Sequence, residues 1–171
     1  MNQNLPPSPG TARSSPKTPG TATGSAMRIL IVDDDPLLCG LHALLLEQQG
    51  YDTVTAENGQ DALTQLASGD FDLVITDCKM PILDGPSMVL ALRSAGSRIP
   101  VIMISGTLAF TPLPRAVARE VCIALVKPAH PKEILAAVAT ALAMPRASKG
   151  SHPFPSRFKT AAEADAYYMI D

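Results

Sequence analysis

Phe71-Asp72-Leu73-Val74-Ile75-Thr76-Asp77-Cys78-Lys79-Met80-Pro81 is the stretch that decides the fold. Phe71–Thr76 is near-continuous in apolar residues. A short run without polar alternation suits a parallel strand covered on both faces. It closes on Asp77, with Met80-Pro81 just beyond. Three other apolar runs close in the same manner. Arg28–Val32 ends at Asp33, Asp34 and Asp35, Pro100–Ile104 at Ser105, and Val121–Val126 at Lys127-Pro128.

Helical patterns fill the spaces between these runs. Leu37, Leu38, Leu41, Leu44 and Leu45 recur at helical spacing after Pro36. Asp35 is placed to cap that helix and Gly50 to end it. Tyr51–Ala56 reads as a strand, and Asn58 caps a second helix over Gly59–Ala67, stopped by Ser68-Gly69. Asp84-Gly85 is a turn before a helix over Pro86–Ser94, and Pro131–Met144 is the last helix. Thr107–Arg119 departs from the pattern, because Pro112 and Pro114 remove amide donors and disfavour helix before them. The fourth helix is therefore expected short and late, starting near Pro114. Strands alternating with helices mean βαβ units. The expected fold is α/β: a flavodoxin-like, doubly wound, five-stranded parallel sheet in order 2-1-3-4-5, with helices on both faces. Ligands of such sheets bind beyond the strands' carboxyl ends, where all the polar residues above lie.

The chain has 171 residues, 46% of them hydrophobic, enough for one domain with a real core. Residues 27–144 form that domain. Residues 1–26 are Pro/Ser/Thr-rich and read as a disordered tail, and 145–171 as a mostly irregular tail in which Thr160–Asp171 is one loose helix. Met27 directly precedes the first strand, so either it or Met1 could start translation. The net charge of −2 argues against a nucleic-acid partner. Cys39, Cys78 and Cys122 show no metal-ligand spacing and read as small core or surface thiols. No apolar run is long enough to span a membrane and no signal peptide is evident, so the expected location is cytoplasmic.

Three carboxylates gathered at one sheet edge repel one another and favour a divalent cation. Asp33, Asp34 and Asp77 are hard oxygen donors suited to Mg2+ with waters and phosphate oxygens. Lys127 adds a cation, Ser105 a hydroxyl, and Gly106 an amide with no side chain in front of it. Together they would cradle a phosphoryl group carried on a carboxylate. Singly, each has a plain structural reading: a helix cap for Asp35, a turn residue for Asp77, a surface pair for Lys127-Pro128.

In order and spacing, Ile29–Pro36, Asp72–Gly85, Val101–Gly106 and Val126-Lys127-Pro128 resemble the motifs of the receiver domain of two-component response regulators, over roughly 27–144. The resemblance implies a stand-alone phosphoprotein of a phosphorelay rather than an enzyme. Asp77 would be the phosphoacceptor, charged by a sensor histidine kinase or a histidine phosphotransfer protein. Asp33, Asp34, Asp77 and the backbone carbonyl of Lys79 would hold Mg2+. Ser105, Gly106 and Lys127 would bind the phosphoryl group, and Pro128 would follow a cis peptide bond. The chain departs from the family at Ala124 and Ala129, where aromatics are usual, and at Pro112 and Pro114. Two other readings stand beside this one. The first is a phosphorylation-independent adaptor that keeps the fold. The second is an aspartate phosphatase, opposed by Lys79 where a second acid would be needed.

Overall fold

The structure is a computed structural model and describes residues 26–144. The tail expectations, apart from Ala26, lie outside the described residues. The elements run β1 (Arg28–Val32), α1 (Pro36–Glu47), β2 (Asp52–Ala56), α2 (Gly59–Ser68), β3 (Leu73–Thr76) and α3 (Gly85–Ser94). Then come β4 (Val101–Ser105), a 3-10 turn (Gly106–Ala109), α4 (Arg115–Ala118), β5 (Ile123–Val126) and α5 (Pro131–Ala143). All strand pairs are parallel, in the order β2-β1-β3-β4-β5. This is the expected doubly wound sheet.

Strand side chains alternate between faces, so the sheet has two cores. Leu30, Val32, Val74, Val101 and Met103 pack with residues of α2 and α3, and Val117 of α4 joins them. Ile29, Ile31, Leu73, Ile75, Ile102 and Ile104 pack with residues of α1 and α5 on the other side. Burying an aliphatic side chain of this size is worth about 1.5–3 kcal/mol.

Local signals set the helix starts. The Asp35 carboxylate accepts from the Leu37 amide at 2.9 Å, Asn58 from Asp61 at 2.9 Å, and Asp84 from Ser87 at 2.8 Å. α1 stops three residues before Gly50, which takes φ +86°. β3 begins later than its apolar run, because Asp72 accepts the Arg28 amide at 2.8 Å and Phe71 lies under the Arg28 guanidinium at 4.8 Å. α4 is short and late, as the prolines dictate: it has four residues and follows Pro114 directly. The 3-10 turn after β4 was not foreseen, since nothing in Gly106–Ala109 carries a helical stripe.

Candidate functional site

Register builds the site. Val32 at the end of β1 pairs with Thr76 at the end of β3, so the next residues, Asp33 and Asp77, emerge side by side. Ser105 pairs with Val126, which puts Ser105 and Lys127 at the same sheet edge. Asp33 (4% exposed), Asp77 (7%) and Ser105 (2%) are buried. Their backbones are tied to neighbouring strands: the Asp77 amide donates to the Val32 carbonyl at 2.9 Å and the Asp33 amide to Ala56 at 3.1 Å.

Lys127 joins the two carboxylates. Its Nζ lies 2.7 Å from Asp33 Oδ2 and 2.6 Å from Asp77 Oδ1. The remaining oxygens are held from the backbone. The Asp35 amide donates to Asp33 Oδ1 at 3.0 Å, and the Lys79 amide to Asp77 Oδ2 at 2.5 Å. Burial pulls the Lys127 ammonium down, but its hydrogen bonds to Asp33 and Asp77 outweigh that and hold it above its ordinary range. The Lys127 amide donates to the Ser105 carbonyl at 3.1 Å, and the Lys127–Pro128 bond is cis as expected.

The remaining candidates are disposed unequally. Ser105 Oγ sits 3.2 Å from Thr107 Oγ1 and bonds neither aspartate. A Cβ built on Gly106 would meet nothing within 4 Å, so no neighbouring group crowds that position. Asp34 is exposed and has no hydrogen bond or ion pair among the described residues. The expected meeting of three carboxylates is therefore a meeting of two, bridged by an ammonium. Among the described residues no group of three or more His, Cys, Asp or Glu stands close enough to hold a metal. The donor chemistry nonetheless suits Mg2+, since Asp33 and Asp77 are anchored hard-oxygen donors and the exposed Asp34 adjoins Asp33 in the chain.

Sequence reasoning missed three contributors. Thr107 partners Ser105, and an exposed-looking hydroxyl two residues past a strand end gave no cue. Gly85 was read only as a turn, yet its missing side chain is what lets α3 start against the Asp77 carbonyl. Arg93 donates to the Ser97, Ile99 and Glu120 carbonyls at 3.2, 2.9 and 2.8 Å and pairs with the Glu120 carboxylate at 3.1 Å. It ties the end of α3 to the entry of β4 and the close of α4. Cys39 and Cys78 are buried thiols. Burial raises both, Cys39 to about 11, which keeps them protonated and unreactive.

The described residues thus place a buried aspartate at a strand end of a doubly wound sheet, beside a second aspartate and a lysine. The chain belongs to the response regulator receiver domain family, whose pattern it matches over residues 29–139. It is similar to the transcriptional regulatory protein TcrA of Mycobacterium tuberculosis, at 35% identity over 54% of this chain and 38% of TcrA. With the DNA-binding response regulator MtrA of Mycolicibacterium smegmatis it shares 32% identity, over 65% of this chain and 48% of MtrA. The chain thus spans less than half the length of these curated relatives. Among solved structures it resembles Thermotoga maritima TrrA, a response regulator in complex with Mg2+-BeF, with TM-score 0.62 and 30% identity over 67% of this chain and 98% of that one. No helix among the described residues is long and apolar enough to cross a membrane.

Proposed function

We propose that this chain is a phosphorylation-switched receiver. Asp77 accepts a phosphoryl group from a sensor histidine kinase or a histidine phosphotransfer protein, and the signal leaves by protein–protein contact. The observation that carries this reading is Lys127 Nζ at 2.6 Å from Asp77 and 2.7 Å from Asp33, contacts made across 50 and 94 residues of chain. Holding two carboxylates and an ammonium at a sheet edge is costly for stability alone. It is useful where an anion of higher charge is to be received.

The chemistry follows from the groups present. An Asp77 oxygen attacks phosphorus, the nitrogen–phosphorus bond of the donor breaks, and the electron pair leaves on the donor imidazole. Lys127 changes partner from the bare carboxylate to a phosphoryl oxygen, so positive charge is already in place as the group arrives. The Ser105 hydroxyl and the Gly106 amide are donors for the remaining phosphoryl oxygens. Mg2+, held by Asp33, Asp34, Asp77 and the Lys79 carbonyl, supplies further charge neutralisation when bound. Asp77→Asn should abolish labelling by a small phosphodonor with Mg2+ while leaving the fold intact by circular dichroism. Stoichiometric labelling of that variant would overturn the assignment.

One observation favours the second reading, an adaptor independent of phosphorylation. Ala124 is exposed on β5, and the helix that precedes the strand has only four residues. Mg2+ titration separates the two. A working site gains thermal stability with the cation through linkage; an adaptor with an idle site does not.

A further inference from the structure

β5 is the outermost strand, and among the described residues its far edge pairs with nothing. Its side chains alternate. Ile123 and Leu125 pack against the α1/α5 core, whereas Ala124 and Val126 are exposed, Val126 at 47%. Four-residue α4 sinks only Val117 and leaves that strand face open. Phe110, 91% exposed, ends the 3-10 turn that packs beside β5. An apolar face at an unpaired sheet margin is a surface that natural proteins cover or blunt. Two bases stand at the short helix that leads into β5. Arg115 and Arg119 are exposed, lie one helical turn apart, and form no ion pair among the described residues, while Glu120 is taken by Arg93.

The rest of the chain carries the complement. Residues 145–171 hold Phe154, Phe158, Tyr167 and Tyr168, four of the chain's seven Phe and Tyr residues. The last twelve, Thr160–Asp171, contain Glu163, Asp165 and Asp171 with no base, and the apolar run Tyr167-Tyr168-Met169-Ile170. The described chain leads into them from α5, which packs on β3, β4 and β5 and ends at Ala143. Residues 145–159 number 15, and a flexible coil of that length would span about 21 Å. The four residues of β5 extend about 13 Å. Tethering at that range gives an effective concentration in the millimolar region, so a modest contact suffices.

We propose that residues 160–171 dock on the β5 margin of their own chain, laying Tyr167–Ile170 over Ala124 and Val126 and setting Glu163 and Asp165 against Arg115 and Arg119. The segment takes the place that a full-length fourth helix would fill. Any protein that uses this face must displace it. The proposal stands apart from the phosphoryl chemistry, and its test does not involve phosphorylation.

The chain has no tryptophan, so Tyr168→Trp in the full chain is a single reporter. The expected result is blue-shifted emission and acrylamide quenching several-fold weaker than for free tryptophan. Val126→Asp, or Arg115→Glu with Arg119→Glu, should return both to solvent values. All three sites are exposed, and circular dichroism checks that the fold is kept. Solvent-like emission from Tyr168→Trp in the otherwise unaltered full chain overturns the proposal. So does a blue shift that survives both sets of substitutions, which would place the segment elsewhere. A shift that grows with protein concentration also overturns it, by showing that a second copy provides the contact.

Discussion

Gly85→Ala tests how tightly Asp77, the proposed phosphoacceptor, is built into the fold. A Cβ at position 85 would overlap the Asp77 carbonyl oxygen and approach Thr76 Oγ1 to 3.1 Å. The obstacle is backbone at the end of β3, so no flexible side chain can swing aside. Overpacking of this kind costs about 1–3 kcal/mol. The Thr76 hydroxyl donates to the same carbonyl at 2.9 Å, and losing that bond adds about 1 kcal/mol. Replacing glycine restricts the unfolded chain and returns about 0.4–1 kcal/mol. The net expectation is a loss of about 2 kcal/mol, out of a total stability of about 5–15 kcal/mol. Urea denaturation should show a lower midpoint with an unchanged m-value. Gly106→Ala is the control, because a Cβ there meets nothing within 4 Å; it should move stability by no more than about 0.5 kcal/mol. Equal stabilities for the two variants would refute the reasoning. The Gly85 variant should also accept phosphoryl groups poorly, because relief of the clash displaces Asp77 from Lys127.

Other perturbations have equally definite outcomes. A double-mutant cycle between Asp33→Asn and Lys127→Met should give a coupling of about 1 kcal/mol, less than a fully buried pair because the Lys127 side chain is 24% exposed; additivity would remove the pair from the argument. The raised Lys127 ammonium stabilises the fold fully below the ordinary lysine value of about 10.4 and is lost as pH rises through the higher folded value. The midpoint of the unaltered chain should therefore fall faster above pH of about 10.4 than that of Lys127→Met, and parallel curves would contradict this. Arg93→Lys should destabilise nearly as much as Arg93→Ala, by about 2–3 kcal/mol, because an ammonium cannot span three carbonyls and a carboxylate as the guanidinium fork does. Rescue by lysine would show that charge alone matters there.

Much of the molecule was legible before its structure. The apolar runs at Arg28–Val32 and Leu73–Thr76 are strands because nothing polar interrupts them, and Asp35 and Asn58 cap helices through bonds to amides two or three residues away. Pro112 and Pro114 shortened α4 by a constraint carried in their own rings. The order of strand-ending residues placed Asp33, Asp77, Ser105 and Lys127 at one sheet edge before any distance was known. These are local facts, decided within a few bonds along the chain.

Other features depend on parts of the chain that only folding brings together. That Lys127 reaches both Asp33 and Asp77 while Asp34 stays outside depends on strand register and side-chain direction across 94 residues. The need for glycine at 85 exists only because α3 starts against the Asp77 carbonyl. Arg93's role depends on where Ile99 and Glu120 come to lie, and the bareness of Ala124 on how little of β5 four residues of helix can shield. Composition and spacing determined the elements and which polar residues close the strands, because propensity and capping act over a few residues. Tertiary packing decided which charges meet and which faces stay open, because contact and burial are properties of residues distant in sequence.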